Sequence, residues 1–110
     1  LINWTNRGQC LNPKDVKGDK WFWAPEVIYY KNKFYMVYTA EEHMGVAVAD
    51  SPLGPFTQEN KVWLREDKSI DGHFFMDDDG QVYLYYVRLK AGNRIYVAHN
   101  RKPYITRLCS

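Results

Sequence analysis

Asp71 is the residue whose position most strongly suggests chemistry. It lies in the segment SIDGHFFMDDDGQVYLYY at residues 69–86, directly before an apolar, strand-like run. A carboxylate at the mouth of such a strand is costly to desolvate. One kept there can raise the pKa of a second acid nearby, because a second negative charge becomes unfavourable. The alternative is an Asp that begins a turn and binds local backbone amides.

The acidic run DDDG at residues 77–80 resembles the start of a calcium loop. It lacks the ligand spacing and the closing Glu of that loop. An Asp followed by Gly between two strands is a hairpin signal, because Gly tolerates a positive φ. We therefore expect a turn here and no metal site. The sequence also contains no G-x-S-x-G motif, no Walker loop and no Cys-x-x-Cys pair.

Short strands separated by turns must position these residues. The candidate strands are rich in β-branched and aromatic side chains, which fit a pleated, half-buried surface. They lie at residues 26–30, 34–39, 45–49 and 62–64, and then at 73–76, 82–87 and 95–99. The segment DSPLGPF at 50–56 contains two prolines and a glycine, so it is expected to be a loop or a sheet edge.

The strands repeat along the chain. The run EVIY at 26–29 aligns with HFFM at 73–76, and the next two strands align in the same way, at offsets of 47, 48 and 49 residues. Propeller blades are four-stranded sheets that repeat at roughly 40–50 residues. We therefore predict an all-β fold of four-stranded antiparallel blades, about two of them. Residues 1–20 would form the end of a preceding blade and a linker, 21–66 one blade, and 67–110 the next blade, which is incomplete.

The composition restricts the class of protein. The chain has 110 residues, 45% hydrophobic and 16% aromatic, so it can bury a core. The net charge is +2 and the basic residues form no block, so we expect no nucleic-acid partner. No apolar run approaches the ~20 residues of a membrane span, so we expect no membrane partner. Cys10 and Cys109 lie near opposite ends, and we expect free thiols rather than a disulfide.

Three motifs together resemble glycoside hydrolase family 43. They are WAPEV at residues 23–27, SPLGPF at 51–56 and the segment at 69–86, in this order within roughly residues 1–100. A related five-bladed propeller family could share some of them. The resemblance implies a five-bladed β-propeller enzyme that acts on arabinose- and xylose-containing plant polysaccharides. The sequence begins at Leu1 and has no signal peptide, so it is interpreted as a piece of a longer or processed protein.

The resemblance also implies roles for particular residues. The family is similar in placing three carboxylates around a central pocket, and Asp71 matches the one that tunes and orients the general acid of an inverting mechanism. The base is expected before Leu1 and the acid after Ser110. Trp23 would line the sugar pocket, with Ala24 beside it at the position that aligns with Asp71. Packing in a core is the alternative for Trp23.

Other residues are expected to be structural. Glu26 lies on the same side of its strand as Ala24 and could approach the pocket, but the resemblance gives it no role. His73 is expected to be a hydrogen-bonded core histidine. Packing is expected for the remaining candidates, Trp4, Trp21, Phe22 and Trp63.

The resemblance extends to ligands and location. Some family members hold a calcium ion near the propeller axis, but no residue here identifies such a site, so we expect no cofactor. The expected partner is an oligosaccharide or polysaccharide, and an extracellular or periplasmic location follows by analogy. The chain alone is expected to be inactive and to self-associate through exposed blade faces. A non-catalytic propeller fragment that either binds carbohydrate or only self-associates is the alternative function.

Overall fold

The fold consists of two antiparallel β-meanders that follow each other along the chain. The computed structural model describes residues 2–90 and 92–99. The first sheet has the order β1-β2-β3 and the second β4-β5-β6, after a short 3-10 helix at Pro13–Asp15. The strands are β1 Trp23–Tyr30, β2 Lys33–Ala40, β3 His43–Ala49, β4 Ser69–Met76, β5 Val82–Arg88 and β6 Arg94–His99. The predicted all-β class is confirmed.

The first sheet contains two tight hairpins. Lys31 and Asn32 join β1 to β2 with φ values of 47° and 65°, and Glu41 and Glu42 join β2 to β3 with 51° and 60°. Two successive positive φ values match the right-handed twist of a hairpin, and Asn suits them better than Glu. The Glu41–Glu42 turn is held by tertiary contacts. The Glu42 carbonyl accepts from the Ser69 amide at 3.0 Å, and the Glu41 carboxylate accepts from the Asp19 amide at 3.2 Å.

The two sheets repeat each other down to a local irregularity. The β1–β2 pairing slips between Trp23 and Glu26, and the β4–β5 pairing slips between Ile70 and His73. Ala24 and Asp71 lie in these bulges with φ values of 44° and 56°. The predicted alignment therefore extends to the backbone conformation.

The predicted fourth strand at residues 62–64 is wrong, because each sheet has three strands among the described residues. The loop after β3 bonds to the free edge of that strand without forming a ladder. The Met44 carbonyl accepts from the Leu64 amide (2.8 Å), the Val46 carbonyl from the Gln58 side chain (3.0 Å) and the Val48 carbonyl from the Thr57 amide (3.0 Å). The carbonyls of Met44, Val46 and Val48 at this edge are therefore hydrogen-bonded, although no fourth strand pairs with it.

Apolar side chains form two clusters, one on each face of the first sheet. The cluster between the sheets contains Tyr35, Val37, Met44, Val46, Phe74, Val82, Leu84 and Tyr86. The cluster on the other face contains Val16, Met36, Tyr38, Ala40, Ala47, Ala49 and Phe56. The segment before β1 and the loop after β3 cover this second cluster. The sheets therefore pack face to face, as neighbouring blades do.

No other described part of the chain covers the outer face of the second sheet. Side chains alternate along β5 and β6, so one set packs on the first sheet while the other points away from it. The outward set includes Ile95 at 76% exposure and Val97 at 54%, together with Phe75 and Tyr85. These apolar side chains are therefore exposed to solvent in the part of the chain that the structure describes.

Several side chains differ from their predicted surroundings. Phe22 and Trp63 pack on the second cluster, as predicted. Trp4 and Trp21 are largely exposed, because no described part of the chain covers the segment before β1 on that side. His73 is exposed as well, and its ring is paired with a carboxylate instead of being buried.

Other predictions fall partly or wholly outside the described part. Residues 2–9 form no strand, so their assignment to a preceding blade stays a prediction. Cys10 is a free thiol, whereas Cys109 and residues 100–110 lie outside the described residues. The described residues include no helix with the length and hydropathy needed to cross a membrane.

Candidate active site

Asp71 lies in the bulge near the start of β4, with its side chain exposed. Its φ of 56° is in the left-handed region, which Asp tolerates better than most residues. Its backbone amide donates to Thr39 Oγ1 at 3.2 Å. Within residues 2–90 and 92–99, no hydrogen bond or ion pair occupies its carboxylate. The acid is therefore not a turn residue bonded to local amides, and its charge is available to a further group.

Thr39 connects the two predicted site positions. Its Cα faces Trp23 in the β1–β2 ladder, and its fully buried hydroxyl accepts the Asp71 amide. Trp23 and Asp71 thus lie near the starts of equivalent strands, on either side of one threonine. Ala24, the neighbour of Trp23, is exposed in the first bulge.

Trp23 is half-exposed and borders a depression of about 410 Å³. The other lining residues are largely apolar and include Cys10, Phe22, Pro25, Met36 and Tyr38. Met36 and Tyr38 belong to the face of the first sheet that points away from the second sheet. Neither Ala24 nor Asp71 lines this depression. Thr39 is therefore the described residue that contacts both Trp23 and Asp71, and Asp71 lies outside the depression that Trp23 borders.

Glu26 is engaged across the junction between the sheets. Its Oε1 lies 2.5 Å from His73 Nδ1, and its Oε2 accepts from the Phe74 amide at 2.5 Å. Glu26 and His73 are the same two residues that the sequence repeat aligns. Glu26 therefore ties the first strand of one sheet to the first strand of the next.

A charged cluster near the start of β4 was not anticipated from the sequence. Asp67, which precedes β4, accepts from Arg65 Nε at 2.8 Å and from Arg88 Nε at 2.6 Å. The hydrogen bond from Arg65 is the largest cause of the lowered pKa of Asp67, and the bond from Arg88 lowers it further. The Arg65 guanidinium also lies over the Tyr86 ring and that of Arg88 over Tyr96. No sequence spacing predicts this group, because Arg88 comes from a different strand.

The acidic turn between β4 and β5 uses its side chains on its own backbone. Asp77 Oδ1 accepts from the Asp78 amide at 2.8 Å, and Asp79 Oδ1 accepts from the Gln81 amide at 2.9 Å. The segment is a hairpin connection, as predicted. In the part of the chain that the structure describes, no three His, Cys, Asp or Glu residues are grouped so that they could hold a metal ion.

Sequence comparison connects the chain to carbohydrate-active enzymes. Residues 1–108 match the sequence model of the glycosyl hydrolases family 43. A beta-xylosidase of Xylanibacter ruminicola is 35% identical over 88 residues, which are 76% of this chain and 27% of that protein. A xylosidase/arabinosidase 43A of Humicola insolens is 35% identical over 94 residues, which are 80% of this chain and 28% of that protein. The chain thus spans little more than a quarter of these curated relatives.

Solved structures give the same result at the level of the fold. An endo-1,4-beta-xylanase from Bacteroides thetaiotaomicron VPI-5482 superposes with a TM-score of 0.84 at 46% identity, covering 93% of this chain and 35% of that chain. A thermostable family-43 glycoside hydrolase superposes with a TM-score of 0.74 at 40% identity, covering 89% of this chain and 37% of that chain. The two meanders are therefore similar to about a third of each of these structures.

Proposed function

Because the chain belongs to the glycosyl hydrolases family 43, we propose that it forms part of an enzyme that cleaves arabinofuranosyl or xylopyranosyl linkages in plant polysaccharides. The relatives named as xylosidases and arabinosidases support this substrate class. The proposed reaction is hydrolysis with inversion at the anomeric carbon. In this reaction one carboxylate activates a water while an acid protonates the leaving oxygen, the two groups being about 6.5–9.5 Å apart.

Asp71 is proposed to act on the general acid of this reaction. A general acid must keep its proton near neutral pH, and a neighbouring negative charge raises its pKa by disfavouring a second ionised carboxylate. Asp71 would supply that charge and would orient the acid. The general base and the general acid are proposed to come from parts of the enzyme outside these 110 residues. Trp23, with Ala24 beside it, is proposed to border the sugar.

One observation supports this role most strongly. Asp71 combines an exposed, unpaired carboxylate with a positive φ. Asp67, Asp77 and Asp79 in the same blade have their carboxylates bonded, and Asp78, whose carboxylate is also unpaired among the described residues, has no positive φ. Strained residues persist when the surrounding structure holds them, and they are concentrated at functional sites. The contrast distinguishes Asp71 from the structural acids around it.

The role can be tested in the complete enzyme with chromogenic arabinosides and xylosides. Wild type should hydrolyse at least one of them, and Asp71→Asn should lower kcat by about 10²-fold or more, because the charge that tunes the acid is lost. Asp79→Asn is the matched control, since Asp79 serves only its own turn. The 110-residue chain alone should show little turnover. Failure on both substrates, or full activity of Asp71→Asn, would contradict the proposal.

A second function is supported by the exposure of Trp23 beside an apolar depression. An aromatic face that is open to solvent can stack on the C–H surface of a sugar without any reaction. Under this alternative, the chain would bind xylo- or arabino-oligosaccharides in titration calorimetry with micromolar affinity, and no product would form. Trp23→Ala would abolish that binding.

A further inference from the structure

The bulge that contains Asp71 is bonded by side chains of the other sheet. Two backbone amides, that of Asp71 in the bulge and that of Phe74 just beyond it, donate to Thr39 Oγ1 at 3.2 Å and to Glu26 Oε2 at 2.5 Å. Both acceptors belong to the first sheet. The bulge is thus held at each end by a group from the neighbouring blade.

Both acceptors are firmly placed. Thr39 is fully buried, and its backbone pairs with Trp23 on one side and Met44 on the other. Glu26 is fixed by its second oxygen, which lies 2.5 Å from His73 Nδ1. Acceptors that are fixed in this way define the position of the backbone amides that donate to them.

The backbone at Asp71 needs such support. A non-glycine residue with a φ of 56° is strained, and the strain persists only where surrounding contacts over-determine the conformation. The amide of Asp71 itself donates one of the two bonds, so its loss would release the strained residue first.

We propose that Thr39 and Glu26 are positioning residues that hold Asp71 in its working geometry from the neighbouring blade. The inference rests on the role proposed above for Asp71. Neither residue is expected to contact the substrate. Each acts through the backbone of the bulge, so that the carboxylate stays at a fixed distance from the general acid. The first sheet thereby shapes the chemistry of an acid that belongs to the second.

The test compares two variants at each position. Thr39→Val keeps the shape of the side chain and removes the acceptor, whereas Thr39→Ser restores it. Glu26→Ala removes the acceptor for Phe74, whereas Glu26→Gln retains an amide oxygen that can accept. Thr39→Val and Glu26→Ala should speed hydrogen exchange at the amides of Asp71 and Phe74 respectively, measured by NMR. Thr39→Ser and Glu26→Gln should keep both amides protected.

In the complete enzyme, Thr39→Val and Glu26→Ala should lower kcat by about 10- to 100-fold with little change in KM, because a small displacement of a group that acts in the transition state is costly. The two conservative variants should recover most of that loss. Glu42→Gln is the control. Glu42 pairs with Lys68 across the same junction, at 2.5 Å, but does not bond to the bulge.

The outcomes separate this proposal from the function on which it rests. Full activity of Asp71→Asn would remove the proposed role of Asp71, whatever the exchange rates show. If Asp71→Asn is impaired but Thr39→Val and Glu26→Ala keep wild-type kcat, only the positioning role is overturned. Unchanged exchange at both amides in those variants would also overturn it. An equal loss of kcat in Thr39→Ser would indicate a packing role instead.

Discussion

Gly72 is the residue at which the two sheets approach most closely in the bulge of β4. A Cβ at this position would lie 2.6 Å from Val37 Cγ2 and 3.2 Å from Met44 Sδ. Val37 and Met44 are both fully buried, so neither side chain has room to move away. The absence of a side chain at Gly72 therefore permits the contact between blades beside Asp71.

Gly72→Ala should lower the free energy of unfolding by about 1–3 kcal/mol, because the added methyl overpacks a closed interface. Urea denaturation measures the change. Val37→Ala removes the atoms that clash, so the double variant should lose less stability than the two single variants added together. A Gly72→Ala midpoint equal to wild type would contradict the close approach.

For single residues, the sequence predicts which side chains belong to the candidate site better than it predicts their backbone conformations. Asp71 was singled out by its place before an apolar run, and the alignment placed Ala24 opposite it. The positive φ of both residues was not predictable, because Ala has no preference for that region. Glu26 was considered as an acid facing the pocket, and its bonds to His73 and Phe74 depend on the packing of two strands that are distant in sequence.

At the scale of elements, the free edge of β3 is closed by Gln58 and not by a fourth strand. The buried amide donates to the carbonyls of Val46 and Val62 at 3.0 and 3.1 Å. It accepts from the Lys17 amide at 2.8 Å and from the Tyr38 hydroxyl at 3.3 Å. One side chain thus joins β3, its loop and the segment before β1.

Gln58→Met should destabilise the chain by about 3 kcal/mol or more, because it leaves several buried backbone groups without partners. Gln81→Met is a matched control. The Gln81 side chain bonds to His99 at 2.9 Å in an exposed setting, so its loss should cost less than about 0.5 kcal/mol. Thermal or urea unfolding of the two variants checks the difference, and equal midpoints would show that Gln58 is dispensable.

The Arg65–Asp67–Arg88 cluster should make stability depend on pH. The pKa of Asp67 is lowered in the folded state, chiefly by the Arg65 hydrogen bond. The ion pairs of Asp67 therefore add to the free energy of unfolding at pH values above the unfolded-state pKa of about 3.9. This stabilisation is lost as the pH falls through the lower pKa of the folded state.

Asp67→Asn should consequently be less stable than wild type at pH 7, by on the order of 1 kcal/mol because solvent screens this partly exposed group. The stabilities of wild type and Asp67→Asn should become equal as the pH falls toward about 2. Urea midpoints at both pH values measure this. Asp50→Asn is the control, since the pair of Asp50 with Lys33 at 2.7 Å is highly exposed. A constant difference across the pH range would rule out the charge of Asp67 as the cause.

Strands could be predicted where the residue composition of the segment itself favours a strand. All six strands were expected from their β-branched and aromatic residues, to within a few residues at the ends. The segment at 62–64 has the same composition but no ladder, because Thr57 and Gln58 already bond the edge at Val48 and Val46, and the segment adds the bond from Leu64 to Met44. Strand propensity describes a half-buried surface and cannot report that an edge is occupied.

At the scale of the whole molecule, the two blades bury one face of each sheet against the other, and within residues 2–90 and 92–99 the outer face of the second sheet stays exposed. The repeat in the sequence predicted two packed, equivalent units, and the structure has them. The sequence repeat could not predict which sheet faces are covered, because that depends on the neighbouring blades of the propeller.

The outward residues Ile95 and Val97 lead us to expect concentration-dependent association of the 110-residue chain. Light scattering should show a mass that rises with concentration, because the apolar face of β6 and β5 can be buried against a second copy. Ile95→Lys with Val97→Lys should return the chain to a monomer. Leu53→Lys, which changes an exposed apolar residue in a loop, should not. A wild-type monomer at all concentrations would contradict this expectation.

The matching bulges at Ala24 and Asp71 bear on how the molecule acquired its acid. The same left-handed kink occurs in a blade whose residue has no carboxylate, so the kink forms without an acid at that position. An ancestral unit that was duplicated would already have contained it. Each copy would then have one side chain held by its bulge. Replacing alanine by aspartate at that position would introduce a carboxylate and leave the fold of the blade unchanged.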